Sequence, residues 1–240
     1  MPEGVLVALH GNFASSAWWA DLLADPPEGW RVLAPDLPGF AGTLPVGDVS
    51  IAAYADWVAG WLAEQGVTRP VVLGHSLGGA VALEFAARDP AALTGLILAA
   101  SAPPSGLVTP EENYPVLELL RGNPQLRELS LGALFPSGRP ANFSRLVEDA
   151  GRMAAGHSSG NARALAAWRV DPARLAGLPV MVLGGALDTL VTPDLIGVQA
   201  AALGTHATVL EGRGHGFPQE DPRAFRALVQ SFLAGLPNTR

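Results

Sequence analysis

The residues best suited to covalent chemistry lie in Gly74-His75-Ser76-Leu77-Gly78. The pattern Gly-x-Ser-x-Gly puts a serine on a tight strand-to-helix turn that thrusts its hydroxyl out of the backbone. Small residues are needed two places either side, where a side chain would strike the turn. Val71-Val72-Leu73 precedes the motif and Ala80-Val81-Ala82-Leu83-Glu84-Phe85-Ala86-Ala87 follows it, supplying the strand and helix that such a turn joins. A second match, Gly156-His157-Ser158-Ser159-Gly160, follows the helical pattern RLVEDAGRMAA. No strand feeds it, so it reads as an ordinary loop and Ser158 as a decoy.

A serine hydroxyl is a weak nucleophile at neutral pH; it needs a base within hydrogen-bond reach, and that base needs an orienting carboxylate. Five histidines compete. His75 is expected to turn its ring away from Ser76, His157 belongs to the decoy, His206 sits in a strand pattern, and His10 ends the first strand and braces the next turn. His215, in Gly212-Arg213-Gly214-His215-Gly216 after the last strand, is the candidate base, expected to be exposed on a flexible loop. Asp188 follows Val180-Met181-Val182-Leu183-Gly184-Gly185 on the same sheet edge and is the candidate carboxylate. Asp194 follows Thr192-Pro193, a helix start whose dipole accounts for an acid. Asp36 sits among the turn-formers of Ala34-Pro35-Asp36-Leu37-Pro38-Gly39 and reads as structural.

These residues need a scaffold, and short apolar runs alternating with helical patterns predict a parallel sheet covered on both faces. The expected strands are Val5 to Leu9, Arg31 to Ala34, Val71 to Leu73, Leu96 to Ala99, Val180 to Leu183 and His206 to Leu210. Ser50 can cap a helix in which Tyr54, Trp57, Val58, Trp61 and Leu62 recur at helical spacing, and its tryptophans read as core. Trp18 and Trp19 suit either a pocket wall or helix packing. Between Ala102 and Gly177 only helical patterns occur: PVLELL, LRELSLGALF, FSRLVEDAGRMA and ARALAAWRV. That is too long for a structureless loop. Roughly 103–174 is therefore expected to form a cap over the sheet's carboxyl edge, with 1–102 and 175–240 as the core.

Composition narrows the function classes. The 240 residues are 49% hydrophobic, enough for one substantial core. A formal charge of -7 without any basic run disfavours nucleic acid and anionic lipid as partners. No apolar stretch is long enough to span a bilayer, and Met1 to Gly4 runs into VLVAL without a signal-peptide pattern, so a soluble, cytoplasmic protein is expected. The chain has no cysteine, and all 15 basic residues are arginine, which excludes thiol nucleophiles, Schiff-base lysines and a P-loop. The histidines lack metal-ligand spacing, and neither metal nor cofactor is expected.

The chain order Ser76, Asp188, His215 is that of the α/β-hydrolase triad. HGN after the first strand, DLPGF after the second, GHSLGG at the elbow, LDTLVTP at the acid and GHGFPQEDP at the base make the chain resemble an α/β-hydrolase over nearly its whole length. Fuller members carry two further leading strands; here six parallel strands in the order 2-1-3-4-5-6 are expected, leaving Arg31 to Ala34 at an edge.

The reaction expected is cleavage of small to medium carboxylic esters or lactones: Ser76 attacks, His215 takes its proton, and Asp188 holds the imidazole tautomer. Leu77, opening the helix after the nucleophile, offers one oxyanion N–H, and the resemblance puts the other at Asn12, with Phe13 as fallback. The HGN sequence also resembles haloalkane dehalogenases, which carry aspartate where this chain has Ser76.

Other reactions fit the same scaffold: carbon–carbon bond hydrolysis, or elimination like that of menaquinone-pathway synthases, in which cap arginines would bind substrate carboxylates. A ligand receptor that keeps the triad is a third reading, from a different class. The cap carries eight arginines against seven acids and the remainder seven against fifteen, a contrast that reads mainly as solvated surface.

Overall fold

A computed structural model describes residues 4–45 and 47–237. The start of the chain at Met1 to Glu3, read above for a signal peptide, and the last residues of the expected core, 238–240, lie outside the described residues. The apolar runs form strands β1 (Gly4–Leu9), β2 (Trp30–Leu33), β3 (Val71–His75), β4 (Gly95–Ala99), β5 (Val180–Gly185) and β6 (Ala207–Leu210). They make one sheet in the order β2-β1-β3-β4-β5-β6, every neighbouring pair parallel, as expected. Every residue of β3 and β4 is buried, which is why Val71 to Leu73 and Leu96 to Ala99 read as unbroken apolar runs. The edge strands β2 and β6 are partly exposed.

One boundary shifts in a way that matters for the site. The ladder of β3 continues through Gly74 and His75, which pair with Leu98 and Ala99, so the strand ends at the residue before Ser76. Gly74 breaks the apolar pattern but not the backbone pairing.

The helices are α1 (Ala20–Ala24), α2 (Ile51–Glu64), α3 (Leu77–Arg88), α4 (Tyr114–Gly122), α5 (Pro124–Gly132), α6 (Phe143–Gly151), α7 (His157–Ala167), α8 (Pro193–Ala202), α9 (Phe217–Glu220) and α10 (Pro222–Ala234). The Ser50 hydroxyl caps α2, accepting the Ala53 N–H at 3.1 Å. Tyr54, Val58 and Leu62, four apart, form the buried stripe of α2. Trp57 and Trp61 are offset from that stripe, half-buried and stacked 6.2 Å apart, so they flank the core and do not fill it.

Helices α4 to α7 lie between β4 and β5, where the sequence showed only helical periods. The second Gly-x-Ser-x-Gly does not form a loop. Gly156 adopts a left-handed φ of 77° at the N-cap, and His157, Ser158 and Ser159 open α7. The alanine-rich segment behind them favours helix over the turn that Ser and Gly suggest.

Buried polar contacts anchor this insertion. Asp149 on α6 accepts hydrogen bonds from the Ser15 hydroxyl at 2.7 Å, Arg145 at 2.8 Å and Arg152 at 2.5 Å. The Ala154 N–H reaches Gly39 O at 2.7 Å, and the Trp168 indole N–H reaches Glu84 at 2.9 Å. Burial alone would raise the Asp149 pKa, but these donors outweigh it and hold the carboxyl below its ordinary value. A depressed carboxyl pKa gives stability that is complete above the unfolded value of 3.8 and is lost as pH falls through the folded one. Asp149→Ala is expected to lower the unfolding free energy by about 1–3 kcal/mol at neutral pH, read by urea denaturation. The gap to the parent chain should narrow only below the ordinary carboxyl range.

Candidate active site

Ser76 sits between β3 and α3 with φ 53° and ψ −116°, a conformation that a residue with a side chain rarely adopts. Its N–H donates to Ala99 O at 3.1 Å, and its carbonyl accepts from Gly79 at 3.0 Å and Ala102 at 3.3 Å. A Cβ on Gly74 would overlap the Gly78 carbonyl, and one on Gly78 the His10 carbonyl, so both motif glycines are sterically required. The Ser76 side chain makes no capping hydrogen bond to α3, so this serine does not serve as a helix cap. The N–H groups of Leu77 and Asn12 also have no partner among the described residues. The Phe13 N–H is already committed to Asn12 Oδ1 at 3.2 Å, so the fallback donor is occupied.

His215 and Asp188 meet, as their places after strands on one sheet edge suggested. His215 Nδ1 lies 2.7 Å from Asp188 Oδ2, while Asp188 Oδ1 accepts the Leu190 and Val191 N–H groups at 2.8 and 2.9 Å. A carboxylate accepting at both oxygens fixes the proton on Nδ1 and leaves Nε2 of His215 as the acceptor. No hydrogen bond joins that nitrogen to Ser76 Oγ among the described residues.

The expected exposure of His215 is wrong: only 5% of the residue is accessible. Gly214 abuts Pro136, the Gly216 N–H donates to Leu134 O at 2.8 Å, and the His75 ring lies 4.7 Å from the imidazole. Glycines at 214 and 216 allow this close approach to the insertion, where the sequence suggested only flexibility. Glu220, quoted above within a motif but given no role, clamps the same loop. Its carboxylate accepts from Gly214 N at 2.6 Å and from the N–H and hydroxyl of Ser137 at 2.8 and 2.7 Å.

His75 also differs from expectation. Its ring does not turn away from the site; it stacks on Trp18 at 4.5 Å and binds His215 O through Nε2 at 2.9 Å. Burial pushes its pKa well below the ordinary value, and neighbouring His215 adds to the shift. Trp18 and Trp19 are buried and packed, Trp19 against Phe225 at 6.0 Å. They also border a cavity of about 220 Å³ against Pro222 and Arg226, which neither Ser76 nor His215 lines.

The remaining candidates fall outside the cluster. Asp36 accepts the Ser16 N–H at 2.6 Å, a structural turn contact, and Asp194 lies in the first turn of α8 behind the cap Thr192. Ser158 is fully buried, and the His157 ring rests against Gly39. Among the described residues no three His, Cys, Asp or Glu side chains are grouped to hold a metal ion, and no helix is long and apolar enough to cross a membrane.

The model of the alpha/beta hydrolase family matches residues 6–228. The chain belongs to this family. A relative named pimeloyl-[acyl-carrier protein] methyl ester esterase, from Neisseria meningitidis serogroup B, is 30% identical over 98% of this chain and 95% of its own. A 2-succinyl-6-hydroxy-2,4-cyclohexadiene-1-carboxylate synthase from Pectobacterium atrosepticum is 28% identical over 95% of this chain and 93% of its own. Among solved structures, the N-acyl homoserine lactonase AidH, complexed with N-butanoyl homoserine, superposes with a TM-score of 0.74 at 25% identity, covering 96% of this hydrolase and 88% of AidH.

His10 braces the hydrolase's first loop as expected, with Nδ1 donating to Gly11 O at 2.9 Å and Nε2 accepting the Leu37 N–H at 3.0 Å. Burial lowers its pKa from 6.5 to about 4. A lowered histidine pKa gives stability that is complete above the unfolded value and is lost as pH falls towards the folded one. From pH 6.5 to about 4 the His10 contribution should therefore decline by about 3 kcal/mol. His10→Gln keeps an acceptor but cannot titrate, so its urea midpoint should fall less steeply across that window.

Proposed function

We propose that this hydrolase cleaves small to medium carboxylic esters or lactones through an acyl-enzyme on Ser76. The 2.7 Å contact from His215 to Asp188, beside the strained turn that carries Ser76, is the observation behind this reading. Neither Ser76 Oγ nor His215 Nε2 has a hydrogen-bond partner among the described residues, so both are free for the reaction, in which Nε2 takes the hydroxyl proton as Ser76 attacks the carbonyl. Asp188 stabilises the imidazolium that results. The unpartnered N–H groups of Leu77 and Asn12 would receive the oxyanion, and losing one such donor typically costs about 2.7–4 kcal/mol. The imidazolium then gives its proton to the leaving alcohol, and water, activated by the same base, releases the acid.

Residues 103–174 act as a cap in this reading, and 1–102 with 175–240 as the core. The relatives named for an ester and a lactone support the reaction class. The synthase relative favours elimination as the second reading. That reading needs arginines free to bind substrate carboxylates, and several are engaged within the insertion. Arg127 donates to the carbonyls of Val147, Leu120 and Arg121, and Arg145 and Arg152 pair with Asp149.

A fluorophosphonate probe is expected to label Ser76 alone, with labelling lost in Ser76→Ala and retained in Ser158→Ala. Asp188→Asn should lower kcat by about 10⁴-fold, since it leaves the imidazole in the wrong tautomer. A panel of p-nitrophenyl esters and lactones reads the activity. Silence across the panel beside turnover of a dicarboxylate would transfer the assignment to the second reading.

A further inference from the structure

A run of polar side chains, buried at Tyr54 and Asn161 and half-buried at Asn12, leads from the core, through the insertion, to the loop after β1. Tyr54 on α2 is fully buried, and its hydroxyl meets Asn161 Oδ1 at 2.8 Å. Asn161 on α7, also fully buried, reaches Asn12 Oδ1 through Nδ2 at 2.9 Å. Asn12 Oδ1 also accepts the Phe13 N–H, and Asn12 Nδ2 lies 3.5 Å from Ser158 O at the head of α7.

The chemistry of these groups gives the run a single direction. A backbone N–H only donates, so the Asn12 atom facing Phe13 must be its carbonyl oxygen. Asn161 must then offer its NH₂ to that oxygen, which turns its own oxygen towards Tyr54, and Tyr54 must donate. Burial raises the Tyr54 pKa above its ordinary value, so the phenol keeps that proton at physiological pH.

We propose that Tyr54 and Asn161 are positioning residues that act through the Asn12 side chain to hold the Asn12 N–H towards the oxyanion, opposite the Leu77 N–H. The proposal rests on the reading of Asn12 as an oxyanion donor. Phe13 has φ 56°, a costly conformation for a bulky residue that persists only where the surroundings over-determine it. The hydrogen bonds at the Asn12 amide supply that constraint. They also occupy the Phe13 N–H, while the neighbouring Asn12 N–H has no partner among the described residues. Because Asn161 belongs to α7, the insertion fixes one half of the oxyanion site.

The experiment compares Tyr54→Phe, Asn161→Ala and Asn161→Asp with the parent by ester kinetics, by inhibition with a trifluoromethyl ketone, and by the amide resonances of Asn12 and Phe13. Each variant is expected to lose about 10- to 100-fold in kcat with KM within about twofold, and to bind the tetrahedral ketone adduct more weakly by the same factor. Asn161→Asp keeps the shape but sets an acceptor against the Asn12 oxygen, so it should be no better than Asn161→Ala. Combining Tyr54→Phe with Asn161→Ala should cost no more than Asn161→Ala alone.

A folded Asn161→Asp with kcat within about twofold of the parent, or a rise in KM alone, overturns the proposal. So do unmoved Asn12 and Phe13 amides. Should the Asn161 variants fail to fold, Tyr54→Phe, which deletes one hydroxyl, carries the test. Full activity in Ser76→Ala would defeat the acyl-enzyme reading instead, and the amide shifts would still report whether Tyr54 and Asn161 govern this loop.

Discussion

The backbone at Ser76 is held where a side chain is disfavoured, and much of the architecture serves to keep it there. A turn with φ 53° costs of order 1–3 kcal/mol and survives only if both flanks are fixed. The ladder of β3 runs to His75, α3 begins at Leu77, and the two glycines allow close packing, Gly74 against the Gly78 carbonyl and Gly78 against the His10 carbonyl. Ser76 is thereby neither strand nor cap, and its hydroxyl makes no hydrogen bond among the described residues.

Around that turn, histidines of one composition are made to behave differently. His10 and His75 lie in the apolar interior, where burial holds both imidazoles neutral, and both bind backbone groups. His215 faces a carboxylate whose oxygens are all engaged, so its proton sits on Nδ1 and its Nε2 stays available. Side-chain identity supplies the ring; the partners decide whether both of its nitrogens are engaged or one is left free.

The insertion between β4 and β5 is tied to the rest of the molecule by polar contacts as well as by apolar packing. Asp149 binds Ser15, Glu220 bridges Ser137 and Gly214, and Asn161 joins Tyr54 to Asn12. Each contact reaches a loop at the carboxyl edge of the sheet. Such directional bonds constrain loop geometry in a way that an apolar surface does not.

The sequence by itself determined the sheet, its order, the six strand positions to within a few residues, the serine turn and the partnership of His215 with Asp188. These rest on local signals: apolar runs, glycine spacing, and acid and base at strand ends, all of which act over a few neighbouring residues. Tertiary structure decided the rest. The burial of His215, the side on which the His75 ring lies and the Tyr54–Asn161–Asn12 contacts depend on partners far away along the chain. No local pattern marks Asn161, because a buried amide acquires its meaning only from the donors and acceptors that folding brings against it.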